Sequence, residues 1–88
     1  MTSLLLFTRV GCCLCEGLEE KLRQLDPAPE LLLRDVDADR GLRARYDLQV
    51  PVLAVAAADG RSWRELPRVP PRLSGPQLGD WLRRQGVP

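Results

Sequence analysis

From Ser3 to Phe7 the chain is almost wholly apolar, without polar alternation. This predicts a short strand covered on both faces inside a parallel or mixed sheet. After Gly11 the period changes. Leu14, Leu18, Leu22 and Leu25 recur at helical spacing, with Glu16, Glu19, Glu20 and Lys21 on the other side, so the cysteines just after Gly11 open a helix. Asp26-Pro27-Ala28-Pro29 closes it, because proline cannot continue a helix and restricts the residue before it. Leu31–Val36 reads as a second buried strand, and Asp37 and Asp39 as caps for a short helix that turns Leu42 and Tyr46 inward. Pro51 leads into a third strand over 52–55, and Asp59-Gly60 is a two-residue hairpin signal before a fourth strand at Arg61–Leu66. The proline-containing stretch Arg68–Arg72 makes a stiff extended connection. Ser74 with Gln77 forms a capping-box pattern, and Leu78, Trp81 and Leu82 give the last helix its buried face, whereas Trp63 falls on a strand with one exposed side. The order is βαβ, helix, ββα: an α/β chain with no internal repeat, low-complexity segment or linker, hence one domain over 1–88.

Composition narrows the function classes. The chain has 88 residues, 44% hydrophobic and 28% charged, enough for one modest core. Thirteen basic against twelve acidic residues leave a formal charge of +1, which gives no general attraction to nucleic acid or to anionic lipid, so neither is expected as a partner. The run Leu4–Phe7 is too short to span a membrane, and no basic segment precedes it. Three cysteines crowded into 12–15 do not resemble the spread framework that staples secreted mini-proteins, so a reducing, cytoplasmic setting is expected.

The chemistry lies in Cys12-Cys13-Leu14-Cys15. A zinc site needs four ligands, and with no histidine and three cysteines the chain would have to borrow acids or a second copy; no metal site is expected. For redox work the spacing has a direct rationale. Residues three apart at a helix start share a face, so the sulfurs of Cys12 and Cys15 can meet in a small disulfide ring. The unpaired N–H groups of the first turn stabilise a negative sulfur, which makes Cys12 the expected nucleophile. Cys15, one turn deeper between Leu14 and Leu18, suits the resolving role, and Cys13, on another part of the helix surface, is a spacer.

With these residues in view, the chain resembles the thioredoxin superfamily, and within it the glutaredoxins and small bacterial glutaredoxin-like proteins. The resemblance covers nearly the whole chain. It rests on Leu5-Leu6-Phe7-Thr8-Arg9-Val10-Gly11 leading into Cys12-x-x-Cys15, and on Tyr46-Asp47-Leu48-Gln49-Val50-Pro51-Val52-Leu53. It implies a thioredoxin-like, glutaredoxin-type βαβαββα fold with a four-stranded mixed sheet flanked by three helices. It also implies a cis bond before Pro51, beside the active disulfide, with the backbone of Val50 pairing with an extended thiol substrate. The residues alone favour a trans Val50–Pro51 bond at the entry to an edge strand. Arg9 matches the basic residue that glutaredoxins place before the first cysteine to pair with a glutathione carboxylate; read without the resemblance, it is a solvated surface arginine. The chain departs from the family pattern at Gln49, where threonine is usual. It also lacks the Gly-Gly-x-x-Asp grip on glutathione, since Val69–Ser74 occupies that region, and it lacks the thioredoxin Trp-Cys-Gly-Pro-Cys sequence. Neither glutathione nor the thioredoxin system is therefore indicated as electron donor.

The leading expectation is a dithiol–disulfide oxidoreductase that requires no cofactor and acts as a monomer on a cysteine-containing protein or small thiol. Two other classes compete with it: an iron–sulfur carrier in which Cys12 of two copies and added thiols hold a cluster, and an interaction module whose cysteines are silent.

Overall fold

Leu4, Leu5, Leu6 and Phe7 are all buried because their strand, β1 (Ser3–Thr8), lies inside the sheet rather than at its edge. The computed structural model describes residues 3–59, 61–70 and 72–87. The further elements are α1 (Cys13–Arg23), β2 (Glu30–Asp35), α2 (Arg40–Tyr46), β3 (Val52–Ala56), β4 (Trp63–Glu65) and α3 (Gly75–Arg84), with a 3-10 turn at Val36–Ala38. The strands are ordered β2-β1-β3-β4; β1 runs parallel to β2 and antiparallel to β3, which is antiparallel to β4. The four-stranded mixed sheet with three helices that the resemblance implies is the observed architecture.

Alternation along β1 divides the interior in two, since successive side chains point to opposite faces. Leu4 and Leu6 join Leu18 and Leu22 of α1, Leu53 of β3, and Leu78 and Leu82 of α3. On the other face, Leu5 and Phe7 pack with Val36, Tyr46, Val52 and Ala54. Phe7 lies 4.8 Å from the Tyr46 ring and 5.1 Å from the Trp63 ring. The Trp63 indole N–H donates to the Tyr46 hydroxyl at 3.1 Å, and that hydroxyl donates to the Glu65 carboxylate, so α2 is tied to β4 through polar atoms at the rim of an apolar cluster. Trp63 thus belongs to this cluster, and Trp81 is half-buried against the larger one.

Several boundaries differ from the sequence expectation, each for a local reason. Val36 leaves the second strand and opens the 3-10 turn, where the Asp35 carboxylate accepts from Asp37 N–H at 2.9 Å; Val36 stays wholly buried by pointing under α2. Of the two aspartates read as caps, only Asp39 caps α2, accepting from Leu42 N–H at 3.0 Å; Asp37 is drawn to Arg9 instead. The Asp59 carboxylate takes the N–H groups of Arg61 at 2.9 Å and Ser62 at 3.0 Å, so the turn reaches to Ser62, whose carbonyl still accepts from Ala57 N–H at 2.9 Å, and β4 begins at Trp63. Gly60, the second residue of the hairpin signal, lies outside the described residues. Leu14, assigned to the buried stripe of α1, is 60% exposed: Cys15, Leu18 and Leu22 form the stripe that enters the core, and Leu14 lies to one side of it, lining an open cleft.

The capping box at α3 is present, with Ser74 N–H donating to the Gln77 side chain at 3.0 Å and Gln77 N–H donating to the Ser74 hydroxyl at 3.4 Å. Ser74→Ala removes one half of it and should cost about 1 kcal/mol. Leu22→Ala, which empties a fully buried position, should cost about 2–5 kcal/mol. Urea unfolding followed by tryptophan fluorescence checks both, and near-equal losses would contradict the assignment of one residue to a cap and the other to the core.

Candidate active site

The loop between β1 and α1 is shaped by Gly11, whose φ of +82° lies in the left-handed region that residues with a side chain rarely adopt. This turn delivers Cys12 to the N-cap of α1 with extended backbone, φ −87° and ψ 105°. Cys12 N–H donates to the Arg9 carbonyl at 3.2 Å, and the Cys12 carbonyl accepts from Glu16 N–H at 3.0 Å. The Cys12 sulfur faces the open first turn of the helix and accepts from Cys15 N–H at 3.2 Å. Serine or aspartate oxygens usually occupy this capping position, where a negative atom gains most from unpaired helix N–H groups.

Cys12 and Cys15 are joined in a disulfide, with Cα atoms 5.2 Å apart. Cys12 is half-buried, Cys15 is completely buried, and Cys13 is an exposed free thiol. Position relative to the helix start accounts for this sorting: Cys15 falls on the stripe that carries Leu18 and Leu22 into the core, and Cys13 falls off it.

Pro51 follows a cis bond from Val50, as the resemblance implies and as the residues alone do not. A second cis bond, Asp26–Pro27, falls in the stretch read only as a helix stop. Gln49 is held by its N–H to the Tyr46 carbonyl at 2.9 Å, and its own carbonyl accepts from Arg68 at 3.4 Å. Among the described residues the N–H and C=O of Val50 take no partner from the chain.

Arg9 is built into the fold. Its Nε donates to Asp37 Oδ2 at 2.9 Å, one Nη to Asp37 Oδ1 at 3.1 Å and to the Asp47 carboxylate, and the other to the Asp47 carbonyl at 3.0 Å. Four of the five guanidinium N–H groups are thereby used, leaving one on Nη1. The arginine joins the end of β1 to the 3-10 turn and to the end of α2, and so fixes the cysteine loop against the segment leading to Val50 and Pro51. The hydrogen bond from Arg9 is the main reason that Asp47 is held below the usual aspartate range, and the bonds to Asp37 and then Asp47 push the guanidinium up. Neither acid is marked in sequence as a partner of Arg9, because nothing local ties Asp37 or Asp47 to a residue 28 and 38 positions away.

Beside the disulfide a cleft of about 200 Å³ opens between α1 and the segment before α3. Cys13, Leu14 and Pro51 border it, Val69, Pro70 and Leu73 form the far wall, and Lys21 and Arg68 reach it. The sequence reading missed this wall. Its one visible sign was an apolar stretch interrupted by prolines where the family pattern has glycines. Val10 and Leu48, each next to a member of the Arg9–Asp47 pair, are 88% and 92% exposed, leaving apolar side chains in solvent beside the cysteine loop.

Comparison with known proteins places this site in context. Residues 3–83 match the model of the glutaredoxin-like domain family (DUF836). The X-ray structure of the structural-genomics target protein XcR50 from X. campestris is similar, at 32% identity over 97% of this chain and 99% of that one, with a TM-score of 0.61. The solution structure of the same target gives 32% identity over 97% and 95% of the two chains, with a TM-score of 0.63. The structure of a malarial protein shares the fold at 14% identity, with 99% of each chain covered and a TM-score of 0.58. A search of curated proteins returned no match.

The Arg9 clamp has a pH signature. Asp47 ionises more readily folded than its ordinary value of 3.8, so unfolding takes up a proton in acid. The clamp's contribution is therefore present above that value and lost as pH falls through the lower, folded one. Arg9→Met should unfold at a lower urea concentration than the parent at neutral pH, and the gap should close as pH falls below 3.8. A gap independent of pH would show that packing of the arginine stem, not its ion pairs, holds the loop.

Proposed function

The chain belongs to the glutaredoxin-like domain family, and from that premise we propose that it is a dithiol–disulfide oxidoreductase acting through Cys12 and Cys15. The observation that carries the reading is the pairing of a half-buried sulfur at a helix N-cap with a fully buried sulfur one turn on, already joined as the disulfide that such a cycle forms. In the reducing direction, the Cys12 thiolate attacks one sulfur of a substrate disulfide and expels the other as a thiolate, which takes a proton. Cys15 then loses its proton and attacks the Cys12 sulfur, releasing the second substrate thiol and closing the Cys12–Cys15 bond. Two electrons pass from the dithiol to the substrate. Run backwards, the disulfide accepts two electrons from a substrate dithiol.

Access sets the roles. An incoming sulfur meets Cys12 at the surface, whereas Cys15 is enclosed and can be reached from Cys12. The Cys15 N–H that points at the Cys12 sulfur in the disulfide would stabilise the same atom as a thiolate. Val50, with its backbone groups unpaired at the cis bond, supports the reading that an extended substrate segment hydrogen-bonds there, next to Pro51. Arg9 acts as a positioning residue in this proposal, with a single N–H left for a substrate carboxylate.

Its commitment to Asp37 and Asp47, together with the apolar cleft walled by Leu14, Val69 and Pro70, favours a cysteine-containing protein segment over glutathione as substrate. Thiol exchange of this kind requires no cofactor, and a reducing cytoplasm remains the proposed setting. Among the described residues no helix is long and apolar enough to cross a membrane.

Mass spectrometry of the protein equilibrated across a dithiol redox buffer series tests the cycle. A reversible loss of two hydrogens should survive Cys13→Ser and vanish in Cys12→Ser and Cys15→Ser. Cys15→Ser, offered a disulfide peptide, should accumulate a mixed disulfide at Cys12. A reversible disulfide that involves Cys13, or none at all, would remove the proposed mechanism.

A further inference from the structure

The two edges of the sheet are unequal. On one side β4 is three residues long, is followed by Pro67, and has its Arg64 side chain bonded to the Gln85 carbonyl at 3.1 Å. Natural sheets use such short, interrupted edges to avoid pairing with other chains. On the other side β2 is six residues long, pairs among the described residues with β1 alone, and contains no proline. Its sequence is Glu30-Leu31-Leu32-Leu33-Arg34-Asp35, and none of its three leucines is fully buried; Leu33 is 39% exposed. A long edge of this kind, with apolar side chains still half in water, is a template for a further strand.

The charges name the occupant. Glu30 and Arg34 stand two residues either side of Leu32, and among the described residues neither forms an ion pair. When two copies of this strand run antiparallel with Leu32 opposite Leu32, Glu30 of each falls opposite Arg34 of the other, and Leu31 falls opposite Leu33. The segment is its own complement in that register and in no neighbouring one. Backbone phase agrees. The Leu33 carbonyl accepts from the Arg34 guanidinium at 3.1 Å, so it faces away from β1, and Leu31 shares that outward phase. Leu31 and Leu33 would then exchange main-chain hydrogen bonds, while Leu32 and the charged residues would occupy the non-hydrogen-bonded positions, where side chains approach most closely.

We propose that β2 is a homodimerisation edge, along which two copies join their sheets antiparallel about a two-fold axis normal to the sheet at Leu32. Leu31 and Leu33 meet on the α1 and α3 side, beside the larger core that Leu31 already touches, and Leu32 meets its counterpart on the α2 side. Arg34 exchanges its own-chain carbonyl for the Glu30 carboxylate of the second copy. The proposal departs from the monomer expected from sequence, and it is independent of the redox reading, because no residue of β2 borders the cleft beside the disulfide.

The test is sedimentation equilibrium of the full chain carrying Cys13→Ser, so that no intermolecular bond through that exposed thiol contributes. The mass should rise from one copy to two with concentration. Glu30→Arg and Arg34→Glu each set two like-charge pairs across the axis and should weaken association about tenfold or more. The double variant Glu30→Arg/Arg34→Glu should restore it, since the pairs are rebuilt with signs exchanged. All these residues are exposed, so circular dichroism should show the fold unchanged. A protein that stays monomeric at every concentration, or a dimer indifferent to single charge reversal, overturns the proposal.

Discussion

Everything in this molecule hangs from a strand that must be buried on both faces. Each of Leu4, Leu5, Leu6 and Phe7 gains about 1.5–3 kcal/mol by leaving water, and that gain requires neighbours on both sides of the sheet. The requirement places β2 and β3 beside β1 and sets α1 and α3 over one face and α2 over the other. It also fixes where the chemistry sits. A strand held on four sides ends at a defined point, and Arg9, Gly11 and Cys12 follow that point directly. The cysteine loop thus inherits its position from the most enclosed element of the fold.

What could be read from the sequence divides along physical lines. Local signals were legible: the unbroken apolar run of β1, the helical spacing of Leu18 and Leu22, the capping box at Ser74 and Gln77, and the pairing distance of Cys12 and Cys15. Each depends on residues within a turn or two of one another. Long-range polar contacts were not legible. Arg9 reads as a glutathione-facing or solvated arginine until the fold brings Asp37 and Asp47 to it, and Asp37 reads as a helix cap for the same reason. Leu14 shows the limit of periodicity: it has the spacing of a buried residue, but the stripe that enters the core runs through Cys15, Leu18 and Leu22 and leaves Leu14 to one side. The cis Val50–Pro51 bond came from family resemblance and not from residue chemistry, because an X-Pro pair before a strand suits either isomer.

The Arg9 clamp explains how a glutaredoxin-like chain can keep the basic residue before its first cysteine and yet lack the glycine-rich grip on glutathione. A guanidinium can read an incoming carboxylate, or it can be spent on carboxylates of its own chain. Here four of its N–H groups are spent internally. The return is rigidity between the two loops that carry the cysteine and the cis-proline, whose fixed separation the proposed exchange calls for. Val69, Pro70 and Leu73, across the cleft from α1, present an apolar wall where the family pattern has the glycine-rich grip.

The three sulfurs, adjacent in sequence, are separated by geometry rather than by chemistry. The helix begins one residue after Cys12, so Cys12 keeps extended backbone and caps the first turn, Cys13 points outward at the mouth of the cleft, and Cys15 goes into the core. Shifting the helix start by one residue would exchange these places, putting a different sulfur at the cap and turning Cys15 off the buried stripe. The left-handed turn at Gly11 stands directly ahead of that start. It sets the direction in which the chain leaves β1, and a residue with a side chain at that φ would be strained even though the space around it is open. One glycine, acting on the backbone alone, thereby helps to set which of the three sulfurs stands at the helix cap.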